Sequence, residues 1–146
     1  MRINEEGITG SFKNINVDRP WGYFGLYSDN EKCTSKILYV RPGQSLSMQF
    51  HQKRSQFYLL LDSWFTVEYS IKPVPTELKN IEDITEWFKV NHEFCESMEG
   101  AMFGFEKRTI HRIKYNGNLQ YGRCLDLAFG ENDEEDIIRL DDKYGR

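Results

Sequence analysis

Nowhere does the chain carry the roughly 18 consecutive apolar residues that a membrane-spanning helix needs, and its opening MRINEEGITG has no apolar segment after its single Arg. Neither a span nor a signal peptide is expected, which points to a protein of the cytoplasm with no membrane partner. Cysteine is scarce: Cys33, Cys95 and Cys124 are odd in number, far apart and never in a C-x-x-C pair. That excludes a disulfide framework or a zinc knuckle and fits a reducing compartment. There is no long Lys/Arg run, and the net charge of -4 argues against a surface built to neutralise nucleic-acid phosphates. Internal repeats and low-complexity tracts are also missing. What remains is 146 residues with 39% hydrophobic and 29% charged side chains, the profile of one packed domain.

Apolar and β-branched residues recur in short runs: KILYV (36–40), SLSMQF (45–50), FYLLL (57–61), WFTVEY (64–69), AMFGF (101–105), HRIKY (111–115) and CLDLAF (124–129). Many short strands at close spacing predict an all-β sandwich or barrel. Arg41-Pro42-Gly43-Gln44 reads as a turn, with Pro fixing φ and Gly free to take positive φ, and predicts a hairpin between the first two runs. Asn116-Gly117 is a second tight-turn signal.

The middle differs. Ile81, Ile84 and Phe88 repeat at helical spacing with Trp87 beside them, and Asn80 can cap with Asp83 three residues on. One helix over 81–90 is expected, inside an excursion over residues 70–100. Residues 1–18 read as a polar tail.

Four motifs follow one another. RPWGYF starts at Arg19, and RPGQSLSMQFHQKRSQFYLLL starts at Arg41. An Ile110-His111-Arg112 stretch with downstream Asn-Gly comes next, and EEDIIRLDDKYGR reaches the last residue. In this order they resemble the C-terminal domain of type II mannose-6-phosphate isomerases, over two blocks, 19–69 and 101–146. That resemblance implies a cupin jelly-roll barrel. It further implies that Gln49, His51, Gln56 and His111 match the family's four metal ligands, holding a divalent ion, zinc first. Strand alternation independently places Gln49, His51 and Lys53 on one face and Met48 and Phe50 on the other. A change of direction at Arg54-Ser55 lets Gln56 join them.

The family has Glu where this chain has Gln56, His where it has Lys53, and His-Trp where it has Phe57-Tyr58. The site therefore loses its anionic ligand, and the resemblance implies an ion held weakly or not at all; restoring the acid by Gln56→Glu is expected to tighten it. Lys53 and Arg112 are the expected catalytic residues, with Lys53 as the base candidate, and Arg54 and Arg139 the expected binders of a substrate phosphate. An internal salt bridge to Glu135 or Asp136 is the alternative for Arg139. Trp21, Tyr23 and Phe24 read as core or tail-docking aromatics, His92 and residues 131–134 as surface.

The resemblance implies a metal-dependent isomerase interconverting mannose 6-phosphate and fructose 6-phosphate. A second possibility stays open: a cupin that has lost turnover and binds a sugar phosphate, a nucleotide sugar or a protein partner. Pairing of strand edges into a homodimer is possible on the same reading.

Overall fold

The computed structural model describes residues 15–28, 33–141 and 143–145. Eleven strands and one α-helix follow in order: β1 (Ile15–Arg19), β2 (Gly22–Ser28), β3 (Thr34–Val40), β4 (Met48–His51), β5 (Arg54–Leu60), β6 (Phe65–Ser70), α1 (Ile81–Val90), β7 (His92–Ser97), β8 (Met102–Phe105), β9 (His111–Tyr115), β10 (Gly122–Gly130) and β11 (Ile137–Asp141). They form two antiparallel sheets, β1-β2-β3-β10-β5-β8 and β11-β4-β9-β6-β7. This is the cupin barrel that the motifs imply.

Residues 45–50 do not pair with 36–40 as a hairpin. The turn itself forms, with Gly43 at φ 75° and the Gln44 amide donating to the Arg41 carbonyl at 3.0 Å. It carries the chain from one sheet to the other, so β3 pairs with β2 and β10 while β4 pairs with β11 and β9. A turn dipeptide specifies local backbone and not the partner strand. Of the segment read as a tail, Ile15–Arg19 is a sheet strand, and residues 1–14 lie outside the described residues.

One apolar cluster fills the barrel, with Trp21, Phe24, Leu38, Tyr58, Phe65, Ile113 and Tyr115 among its members. A second lies behind β4, where Met48 and Phe50 meet Val74, Ile84 and Ile110, joined by Trp87, Phe88, Ile138 and Leu140. Helix α1 spans the expected residues, and the Asn80 side chain caps it by accepting from the Asp83 amide at 2.7 Å. Ile84 is 3% exposed, a burial worth about 2–3 kcal/mol. Because α1 covers Met48 and Phe50 from behind, the alternate residues Gln49 and His51 turn toward the interior. Beyond the helix, β7 runs along β6 as an edge strand, and its exposed Glu93 and Glu96 discourage a further strand from pairing there.

Tyr144 packs against the barrel cluster and donates its hydroxyl to Gln44 Oε1 at 2.7 Å, so the terminal motif docks on the barrel; Arg146 lies outside the described residues. Among the described residues no helix is long and apolar enough to cross a membrane.

Candidate functional site

Four strands build the site. Gln49 on β4 is the cross-strand partner of His111 on β9, and His51 follows two residues later on the same face. The His51 and His111 rings lie with centroids 5.5 Å apart, each residue 2% exposed. The chain then leaves β4 through Gln52 and Lys53, whose amides both donate to the Asp136 carboxylate at 3.0 Å. This turn, two residues earlier than Arg54-Ser55, shifts the inward phase from odd to even numbers, so Arg54, Gln56, Tyr58 and Leu60 of β5 are buried. On β10 the inward residues are Cys124, Asp126 and Ala128, and Asp126 is the partner of Tyr58.

Hydrogen bonding within this group is incomplete in an informative way. His111 Nδ1 is 2.9 Å from the Thr109 carbonyl, which fixes the proton on Nδ1 and leaves the lone pair on Nε2. That Nε2 has no partner, and neither ring nitrogen of His51 has one. Gln56 Nε2 donates to both Asp126 oxygens, at 3.1 and 3.3 Å, while Gln56 Oε1 is unmatched. Gln49 Oε1 accepts from Ser47 Oγ at 2.5 Å. Burial pushes the pKa of His111 down to about 4. Burial, then the His111 and Arg54 charges, pushes that of His51 down to about 2, with Gln56 pulling the other way. Both imidazoles are therefore neutral at pH 7, the form that binds metal.

A pocket of about 60 Å³ adjoins this group through Gln49 and Gln56, with His51 and His111 behind its wall; its charged lining is Arg19, Lys36, Arg54 and Arg139 against Asp126 and Glu134, a formal excess of two positive charges. Trp21, Phe24, Leu38, Leu46 and Tyr58 form its apolar wall. Arg19 reaches Glu134 only at 4.0 Å, and Arg54 Nη1 donates to Asn132 Oδ1 while its Nε is unmatched. Desolvation pushes the Asp126 carboxyl up, and Lys36, Arg54 and Gln56 oppose that.

The structure thus brings Gln49, His51, Gln56 and His111 into one cluster, of which Gln49 and Gln56 share the pocket lining with Arg54 and Arg139. It does not bring Lys53 or Arg112 there. Lys53 sits in the turn after β4, where alternation has ended, and ion-pairs outside with Asp133 at 3.1 Å and Glu131 at 3.7 Å. Arg112 faces outward because its neighbours His111 and Ile113 face inward; it donates to Glu68 and, at 3.1 Å, to Asp141. The expectation that Lys53 shares the pocket face is therefore corrected. Asp126 and Lys36 were missed by sequence reasoning, although a signal existed. Each alternates with buried apolar residues, Cys124 and Ala128 for Asp126, Leu38 and Val40 for Lys36.

The donor set fits a divalent cation. Two neutral imidazole nitrogens and an amide oxygen, all buried and none accepting a hydrogen bond, suit a borderline-soft ion, and a ring separation of 5.5 Å is compatible with shared coordination at about 2.0–2.1 Å per nitrogen. It lacks an acid: no group of three or more His, Cys, Asp or Glu among the described residues is placed to hold a metal.

Comparison with known proteins places this geometry. Residues 10–82 match the family model described as mannose-6-phosphate isomerase C-terminal. Alginate biosynthesis protein AlgA of Pseudomonas putida is 24% identical over 99% of this chain and 25% of its own length. A mannose-1-phosphate guanylyltransferase of Salmonella montevideo is 26% identical over 89% of this chain and 23% of its own. The chain thus spans about a quarter of these relatives. In fold it is similar to the capsular polysaccharide assembling protein CapF of Staphylococcus aureus, with a TM-score of 0.66 at 11% identity, over 90% of this chain and 33% of that one. Matched family residues from the first sheet into the helix, two inward histidines and the barrel that holds them agree: the chain belongs to the mannose-6-phosphate isomerase C-terminal family.

Proposed function

We propose that this protein binds a sugar phosphate at the barrel pocket and interconverts mannose 6-phosphate and fructose 6-phosphate with a divalent metal, zinc first. The observation that carries the reading is the set of unmatched lone pairs on His51, His111 and Gln56 beside an excess of buried and half-buried cationic side chains. His51, His111, Gln56 and Gln49 would hold the ion. When bound, it would supply Lewis-acid polarisation of the sugar's carbonyl and hydroxyl oxygens.

The chain's own residues do the rest. Arg54 and Arg139 offer guanidinium forks suited to phosphate, and Lys36 adds charge at the same wall. Trp21, Phe24 and Leu46 keep water from the reacting end. A cavity of about 60 Å³ has room for only a few waters, so a hexose phosphate enters by one end and leaves the remainder at the mouth. With Lys53 outside, the pocket groups able to take a proton are the Asp126 and Glu134 carboxylates.

A second reading is favoured by one observation, the absence of an acid from the ligand set: a binding module that holds the sugar phosphate without turning it over. A coupled isomerase assay on metal-loaded protein, run with calorimetric titration of mannose 6-phosphate, separates the two. Turnover that chelator removes supports the isomerase. Binding without turnover supports the module, and neither would sink both.

A further inference from the structure

We infer that Asp126 is a positioning residue for the ion, fixing which end of the Gln56 amide is left for coordination. The inference rests on the metal reading above and goes beyond its ligand set.

A glutamine amide has two ends of similar shape and opposite chemistry, an oxygen that accepts and a nitrogen that donates. In a pocket containing imidazole lone pairs, the ordinary outcome is for the nitrogen to turn toward an imidazole and donate. Gln56 does not do this. Its Nε2 is committed to both oxygens of Asp126, at 3.1 and 3.3 Å, and its Oε1 is left on the side of His51, where it favours a proton on that ring. The reversed amide would set an acceptor against a carboxylate, two acceptors with no proton between them. Asp126 is 6% exposed, so only the few waters of the pocket compete with the amide for its oxygens. The result is a cluster in which His111 Nε2, a His51 ring nitrogen and Gln56 Oε1 are all buried acceptors lacking a donor. A buried unmatched acceptor is costly, and a cation is the species that satisfies three at once. Asp126 also keeps a carboxylate next to the site, one hydrogen bond behind the ligand oxygen, where the ligand set itself has none.

The test uses the full chain, stripped of metal and titrated with Zn²⁺ by calorimetry and with Co²⁺ by its visible absorption, which reports ligand geometry independently of activity. Asp126→Asn offers Gln56 both a donor and an acceptor, so the amide is free to reverse; the expected result is a 10- to 100-fold weaker Zn²⁺ affinity, the range for losing a partner that orients a ligand. Adding Gln56→Glu to that variant should restore affinity, because a carboxylate presents an oxygen whichever way it turns. Because Gln56→Glu tightens binding to some degree in either background, the discriminating result is a larger gain in the Asp126→Asn background than in the wild type, which a role in stability alone would not give. Asp126→Leu keeps the branched shape and removes both acceptors, and serves in place of the asparagine variant if that one does not fold. Unchanged Zn²⁺ affinity in a folded Asp126 variant overturns the inference and leaves the metal reading standing. Wild-type protein that binds neither ion overturns the metal reading, and the inference with it.

Discussion

His51 and His111 face each other across β4 and β9 with ring centroids 5.5 Å apart and planes inclined by 49°, both enclosed by the barrel and both held neutral. Burial is the main reason that neither ring takes up a proton readily, with the charge of Arg54 against both and of His111 against His51 adding to it, and the pair therefore shapes how the fold responds to pH.

Both pKa values are lower in the folded chain than the unfolded value near 6.5, so the unfolded chain takes up protons first as pH falls. Stability should be flat with pH above about 7 and decline from 6.5 downward, reaching a loss of roughly 2 kcal/mol per histidine at pH 5. Urea midpoints for metal-free protein between pH 8 and 5 check this. A profile equally steep in a His51→Gln, His111→Gln variant would assign the decline to other groups.

Gln56→Glu alone should tighten Zn²⁺ much less than a new carboxylate ligand ordinarily would. The added acid lies where Gln56 Nε2 now meets Asp126 at 3.1 Å, and two carboxylates that close hold a shared proton instead of two full charges. The same change should gain far more when Asp126 is already Asn. Equal gains in the two backgrounds, read by calorimetry, would show that positions 56 and 126 are uncoupled.

Arg139→Ala and Arg54→Ala should each weaken mannose 6-phosphate binding by roughly 10- to 100-fold, the equivalent of one charge-assisted contact. Lys53→Ala should leave binding and turnover as they are, because its ammonium is engaged outside by Asp133 and Glu131. A large loss of turnover in Lys53→Ala would return that residue to the site.

Gly22 opens β2 at φ 152°, and a Cβ there would stand 1.8 Å from the Tyr39 carbonyl oxygen. Gly22→Ala should destabilise the protein by about 3 kcal/mol or more, since the clash is with backbone and cannot be relieved by a rotamer. Thermal unfolding measures it. A variant of wild-type stability would mean that β2 and β3 can separate at no cost.

Helix α1 was legible in the sequence because all its signals are local: the Asn80 cap, the Ile81-Ile84-Phe88 spacing and the polar opposite face. The clustering of Gln49, His51, Gln56 and His111 was legible through ordered motifs and through alternation along β4. What could not be read there depends on pairing at a distance. Which strand takes β4 as neighbour is decided by the closing of two sheets, so the Pro-Gly turn pointed to the wrong partner. Lys53 continued an odd-numbered pattern on paper, but the strand ends at His51 and the phase is reset by a carboxylate 83 residues downstream. β7 is exposed along almost its whole length and shows no alternation to find. Asp126 showed its inward phase by alternating with Cys124 and Ala128, but its bond to Gln56 depends on how β10 pairs with β5.

The β11 strand borders the pocket through Ile137 and Arg139, Asp136 clamps the turn that sets the phase of β5, and Tyr144 reaches back 100 residues to Gln44. During synthesis, therefore, the segment that carries His51 and Gln56 leaves the ribosome long before the residues that fix its geometry. At about 5–20 residues per second the wait lasts several seconds or more, during which β4 lacks β11 and exposes an unpaired edge. The last part of the site to be synthesised is the part that closes it, so a released chain ending near residue 130 would carry both histidines but lack the strand that borders the pocket.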